Sequence, residues 1–231
     1  MIFLIRGHLR TSLNTRKLYE FINEIVKTDK DLKIYIHTWN IYANNVSWRT
    51  IRENNSLVSE ETIYKYFGEL KKYIKHIIID DDKKIELFGN IEGNISNGPA
   101  PLIGWKNYWY GKYTIIDYIN NNIENKNETI VNFRFDLFGN SNSRHLNKEN
   151  VIAFINKNKN KNYEKNIFFE DKEACGIDNI YIGDIKTMHS LTKKFHYELD
   201  EIFKTYNKDN KKINQEKLVF RLNEDLFSKM S

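Results

Sequence analysis

Apolar runs of strand length alternate with segments of helical spacing through the first 140 residues of this chain, and that alternation restricts the fold more than any other feature. Met1 to Ile5 is a continuous apolar run that ends in Arg6-Gly7-His8-Leu9-Arg10. Thr11 or Ser12 then offers a cap to a helix whose Leu18, Phe21, Ile22 and Ile25 recur at helical spacing. Leu32 to Trp39 alternates at Ile34 and Ile36 before the polar and aromatic end His37-Thr38-Trp39-Asn40. Residues 59 to 75 read as an amphipathic helix capped by Ser59, and Ile77-Ile78-Ile79 as a third short strand. Residues 129 to 139 form a buried strand with two charges near its end. Strand, helix, strand in this order predicts an α/β three-layer sandwich with a mainly parallel central sheet. Beyond it, helices are expected over 148 to 157, 185 to 206 and 214 to 229, with strands at 167 to 169 and around Ile180 and Ile182.

A length of 231 residues with 40% apolar residues suits one core in one domain. Cys175 is the single cysteine, which excludes an internal disulfide framework and a cysteine-based zinc cluster and predicts a reducing, cytoplasmic setting. The apolar start stops at Arg6, short of a signal-peptide core or the roughly 20 residues that span a bilayer, so no membrane anchor is expected. The net charge of +5 comes from 36 basic and 31 acidic residues that are mostly scattered, as on solvated faces. No RNP, zinc-finger or helix-turn-helix signature accompanies it, so nucleic acid is not the expected partner.

Chemistry is expected at strand ends. Arg134 and Asp136 sit two apart and share one face of a strand, where they form either an anion-and-metal site or a pair tying the strand to a helix. The loop Arg6 to Arg10 holds a glycine and two arginines before a helix N-terminus, where amides and the helix dipole favour an anion. It lacks the Gly-Lys-Ser/Thr of a P-loop, and pairing of Arg6 and Arg10 with surface carboxylates is the alternative. His37, Trp39 and Trp48 are equally readable as packed residues. Asp80-Asp81-Asp82 after a strand offers carboxylates to a metal, but two lysines follow at once and a solvated turn is the favoured reading. Residues 89 to 104 carry both prolines among their glycines and predict a long binding loop. That loop feeds Trp105-Lys106-Asn107-Tyr108-Trp109-Tyr110, whose rings either stack on a ligand or pack a helix. Asn156 to Lys165 reads as a flexible surface loop, and Asp184 as a helix cap.

Four of these motifs, taken in order, resemble the glycosyltransferase-like proteins of bacterial lipopolysaccharide and capsule synthesis and their relatives in large DNA viruses. They are Arg6-Gly7-His8-Leu9-Arg10, Tyr35-Ile36-His37-Thr38-Trp39, Phe133-Arg134-Phe135-Asp136 and Asp178-Asn179-Ile180-Tyr181-Ile182-Gly183-Asp184. The resemblance implies a single Rossmann-like domain of GT-A type over 1-231, with a nucleotide-binding half at 1-140 and an acceptor-side half with C-terminal helices at 141-231. It implies a nucleotide-sugar donor held by Arg6, Gly7, Arg10, His37, Thr38, Trp39, Arg134 and Asp136. It also implies a glycan or lipid-linked saccharide acceptor near Trp105, Asn107, Asp178 and Asn179. Asp136 and Asp178 would be catalytic, Asp178 as base on the acceptor hydroxyl if transfer inverts the anomeric carbon. The Asp-x-Asp motif that holds Mn2+ or Mg2+ lacks its first acid here. Arg134 stands in that place, so Asp136 alone remains as a metal ligand and metal dependence is open. A guanidinium can neutralise a diphosphate as a cation does, with bidentate geometry. An inactive relative kept as a binding or scaffold protein, or a basic nucleic-acid binder, are the alternatives.

Overall fold

A computed structural model describes residues 1–47, 51–95, 99–139, 146–169, 177–206 and 215–228. Along the chain run β1 (Ile2–Arg6), α1 (Lys17–Thr28), β2 (Lys33–Trp39), β3 (Ile41–Ala43), β4 (Asn54–Leu57), α2 (Glu60–Phe67) and β5 (Ile74–Asp80). Then come α3 (Leu102–Asn122), β6 (Thr129–Arg134), α4 (Lys148–Asn158), β7 (Ile167–Phe168), β8 (Ile180–Asp184), α5 (Ile185–Tyr206) and α6 (Gln215–Ser228). Six strands form one sheet in the order β5-β2-β1-β6-β8-β7, and β3 and β4 make a separate hairpin. β5, β2, β1 and β6 are mutually parallel, whereas β8 runs against both of its neighbours. The predicted mainly parallel α/β sheet is therefore present, with one reversed strand.

Alternation along the strands builds the layers. In β1, Phe3 and Ile5 face a core shared with Phe21 and Ile22 of α1, Ile63 and Phe67 of α2 and Val151 of α4. Ile2 and Leu4 face the opposite core, with Trp109 and Ile116 of α3, Leu191 and Phe195 of α5 and Leu218 of α6. Both faces of the sheet are thus covered, which explains why its strands read as nearly continuous apolar runs. Phe3, Phe21 and Phe133 join sheet to helix, with ring centroids 5.1 to 5.7 Å apart. Such pairs contribute about 0.5–1.5 kcal/mol beyond burial.

The chain steps from β1 outward to β2 and β5, then returns to lay β6 on the other side of β1. The strand order therefore reverses between β1 and β6, and open α/β sheets bind ligands outside the carboxyl ends at such a point. Arg6 lies opposite Arg134 there.

Several boundaries differ from expectation for local reasons. The predicted helix over 59 to 75 stops at Phe67, because Gly68 takes φ +52°, and a 3-10 turn carries the chain to Tyr73. The strand expected over 129 to 139 ends at Arg134, where Leu137 N–H donating to the Arg134 carbonyl closes a turn. α3 begins at Leu102, directly after Pro101, so residues 105 to 110 are helical rather than part of a loop. The tract expected to be a flexible loop continues α4 to Asn158 and is then anchored, since Thr129 donates to the Lys159 carbonyl and Tyr163 to that of Asn158. Trp48, Gly98 and Cys175, on which expectations also rested, lie outside the described residues. Among the described residues no helix is long and apolar enough to cross a membrane.

Candidate active site

Residues distant in sequence meet at the carboxyl edge of the parallel strands. β1 delivers Arg6, β2 delivers His37, Thr38 and Trp39, and β6 delivers Arg134. Because β8 is reversed, its amino end reaches the same edge, and Asp178 and Asn179 stand beside Arg134. The loop after β1 departs from ordinary backbone twice, at Gly7 (φ +95°) and at Arg10 (φ +50°), a left-handed conformation that costs a non-glycine residue about 1 kcal/mol or more. Gly7 N–H donates to the His37 carbonyl, Thr38 Oγ1 to the Gly7 carbonyl and Arg10 N–H to the Tyr42 carbonyl, which holds the loop in this shape.

Arg6 is only 2% exposed. Its Nε donates to Asn132 Oδ1 at 3.2 Å, and its Nη2 to Tyr108 Oη and to the Asp178 carbonyl, both at 2.8 Å. All of these acceptors are neutral, and Arg6 forms no ion pair among the described residues. Arg134 grips both oxygens of Asp136, at 2.7 and 2.6 Å, and donates to Asn179 Oδ1. Arg10 Nη1 reaches the same carboxylate at 2.9 Å. Burial works against the charged form of Asp136, but the Arg134 and Arg10 guanidinium groups more than offset it and bring its pKa below the ordinary carboxylate value. These donors do not fit a divalent cation. Both Asp136 oxygens already accept from guanidinium groups, and the described residues contain no cluster of three His, Cys, Asp or Glu side chains.

A cavity of about 110 Å³ opens here, lined by Arg6, Gly7, His8, Arg10, His37, Trp39, Asn44, Val46, Gly104, Asn107, Tyr108, Gly111, Arg134 and Asp136. Of the predicted site residues, Thr38, Asp178 and Asn179 stand one contact behind this lining, bonded to Gly7, Arg6 and Arg134. Asp178 Oδ2 accepts from Tyr108 at 2.5 Å. Trp105 lies elsewhere, buried against Trp109, Phe195 and Phe203 between α3 and α5. Its assignment as a sugar contact is corrected: once residue 105 is helical, its side chain faces the core.

Four residues to which the sequence reading assigned no donor, acceptor or metal role belong to the site or its support. His8 stacks on Trp39 and leaves its buried Nε2 without a partner. Burial, helped by Arg10, His37 and Arg134 against the opposing Asp136, lowers its pKa to about 3, so the ring is neutral. Tyr108 bridges Arg6 and Asp178. Asp80 bonds His37 Nε2 at 3.2 Å. Lys112 is enclosed by the rings of Tyr108, Trp109 and Tyr181 at 4.0, 4.1 and 4.8 Å, and burial, with the Arg6 charge, pushes its pKa well down. The signal for the α3 residues was in the sequence. Gly104, Asn107, Tyr108, Gly111 and Lys112 form a small-and-polar stripe at helical spacing along one side of the helix. At Gly111 a Cβ would stand 2.5 Å from His37 Cε1, so this glycine lets the helix approach the strand end.

No protein-family model matches this chain, and no curated protein matches it. Among solved structures, the crystal structure of an active-site mutant of LgtC is similar at a TM-score of 0.39 and 9% sequence identity, over 98% of this chain and 70% of that one.

Proposed function

We propose that this chain is a nucleotide-sugar-dependent glycosyltransferase that meets the donor's diphosphate with guanidinium groups rather than with a divalent cation. The observation that carries the reading is Arg6, a buried cation with only neutral partners, facing a cavity at the strand-order reversal. A buried charge whose nearest carboxylate, that of Asp178, reaches it only through Tyr108 is costly, and a phosphate supplies a direct partner. Arg134 and Arg10 add two further guanidinium groups, already oriented by Asp136.

In the reaction the acceptor hydroxyl oxygen bonds to the anomeric carbon while the bond from that carbon to the phosphate oxygen breaks. Negative charge grows on the departing diphosphate, where preoriented guanidinium donors stabilise it more than they do the bound donor. The acceptor's proton passes to Tyr108 as Tyr108 gives its own to Asp178, using the 2.5 Å bond between them. Gly7, His37, Thr38 and Trp39 shape the donor side, and Asn179 orients Arg134. The acceptor is a hydroxyl of a glycan or lipid-linked saccharide, and the lone cysteine suits a cytoplasmic setting.

Thermal unfolding with UDP-, GDP-, CMP- and dTDP-sugars, each with and without Mn2+, tests this. A ligand at a hundredfold excess over its Kd adds about 2.7 kcal/mol, or roughly 5 to 10 °C in a chain of this size. One nucleotide class is expected to give that shift with or without Mn2+, and to be turned over when an acceptor is added. No shift with any donor would overturn the reading, and a shift that needs Mn2+ would overturn the guanidinium mechanism.

A further inference from the structure

We infer that the cavity takes the sugar phosphate half of the donor, and that Asn107 accepts a hydrogen bond from a hydroxyl of that sugar. The inference rests on the proposed function for the word donor, but its grounds are separate. Asn107 lines the cavity, is 7% exposed, and its Oδ1 is buried with no hydrogen-bond partner. A buried carbonyl oxygen without a donor is unfavourable, and it accepts only. A fully ionised phosphate offers no donor. The guanidinium groups and Asn107 therefore ask for different parts of one ligand: an anion, and beside it a group that donates. His8 Nε2 is also unpartnered in the same lining, and its neutral ring accepts or donates there according to which ring nitrogen carries the proton.

A nucleobase also carries donors, but it binds by its faces, and the cavity offers no free ring face. Trp39 is 3% exposed and already stacks on His8 and Tyr110, at 5.8 and 6.1 Å. The face of Tyr108 is taken by Arg6 at 4.3 Å and Lys112 at 4.0 Å. A compact polyol bearing a phosphate satisfies all of these conditions.

The test is calorimetric titration of the full chain with inorganic phosphate, pyrophosphate, the 1-phosphates of α-D-glucose, α-D-galactose, α-D-mannose and N-acetyl-α-D-glucosamine, and the nucleoside 5′-monophosphates. At least one sugar 1-phosphate is expected to bind about tenfold or more tightly than inorganic phosphate, the scale of one or two hydrogen bonds. Asn107→Leu should erase that margin while leaving phosphate affinity within about twofold. If Asn107→Leu fails to fold, Asn107→Ser, which can still accept, should instead keep part of the margin. Sugar phosphates that bind no better than phosphate, or a margin that survives Asn107→Leu, would overturn the inference and leave the proposed function standing. A margin found only for nucleoside monophosphates would also overturn it. Absence of phosphate and pyrophosphate binding would remove both readings together.

Discussion

The parallel strands present two edges, built by the same backbone and treated in opposite ways by the side chains. At the amino edge, where β2 and β6 begin, Lys33 Nζ meets both oxygens of Glu128 at 3.0 and 2.8 Å. Lys33 is 35% exposed, so the pair sits on a wet rim and its charges cancel. At the carboxyl edge the cations are guanidinium groups, of which Arg6 is buried while Arg10 and Arg134 stay partly exposed. One carboxylate there is shared by two of them, and the carboxylate of Asp178 is turned toward a tyrosine. A sheet needs only the first kind of edge in order to fold. Buried cations that neighbouring carboxylates do not match lower stability, and such departures from local consistency collect where a ligand completes the arrangement.

Arg6→Met is the sharpest way to break the contrast. Removing a buried charge that no carboxylate contacts directly relieves its desolvation cost, which offsets the hydrogen bonds lost to Asn132, Tyr108 and the Asp178 carbonyl. The melting temperature should therefore hold or rise, while affinity for pyrophosphate and for the donor falls about 100-fold, the scale of one lost charge-stabilising donor. Calorimetric titration beside thermal unfolding reads both quantities. Unchanged affinity would mean that Arg6 is a structural cation like Lys33 and that the two edges do not differ in kind. Arg134→Met is a poorer probe, because it frees the Asp136 carboxylate that Arg134 now holds.

Gly111→Ala acts on the same edge by volume alone. The added methyl would meet the His37 ring at 2.5 Å, and a ring wedged among Trp39, Tyr110 and Asp80 cannot swing aside. Overpacking of this kind costs about 1–3 kcal/mol. Thermal unfolding should show a loss of roughly 2–4 °C for each kcal/mol. A variant as stable as the parent would show that α3 is free to lift from the strand ends.

The sheet was legible in the sequence because its strands are buried on both faces and its helices have one apolar side. Phe3, Ile5, Phe21 and Ile22 sit where their spacing put them. The loop of Arg6 to Arg10 and the Arg134-Asp136 pair were legible as well, since charge and glycine beside an apolar run have few structural uses. Less legible was how the charges divide among themselves. Spacing brings Arg134 and Asp136 to one face, but it does not say that Arg10 takes the same carboxylate while Arg6 takes none. α3 misled for a different reason. Its tryptophans and tyrosines follow a glycine- and proline-rich stretch, and binding aromatics and packed aromatics have the same composition. Only once Leu102 is known to start the helix does the angular position of each ring separate Trp105 in the core from Tyr108 in the cavity.

A smaller effect should appear with pH at the carboxyl edge. The pKa of His8 in the folded chain is lowered to about 3, against 6.5 as the ordinary value. Between those values the unfolded chain binds the proton that the folded chain refuses. The contribution of neutral His8 is therefore complete above about pH 6.5 and is lost as pH falls toward 3. Urea unfolding from pH 7 to 4 should show a downward slope that is shallower in His8→Gln, by less than about 1.4 kcal/mol per pH unit. Equal slopes would mean that His8 reaches solvent. Saturating pyrophosphate should also flatten the slope, since an added anion offsets the Arg10 and Arg134 charges that help keep the ring neutral.

The smallest expected effect belongs to the amino edge, and it is the control on which the contrast depends. Lys33→Ala removes a rim pair whose lysine already spends part of its time against water, and exposed pairs of this kind contribute about 0.2–1 kcal/mol. The melting temperature should fall by less than about 4 °C, less again in 1 M salt where the Debye length is near 3 Å. Pyrophosphate affinity should not change, because Lys33 enters β2 at the end opposite His37 and touches nothing in the cavity lining. A drop in affinity comparable to that of Arg6→Met would show that charge at one end of β2 is felt at the other. The carboxyl edge would then owe its binding to the positive field of the whole chain rather than to the guanidinium groups gathered there.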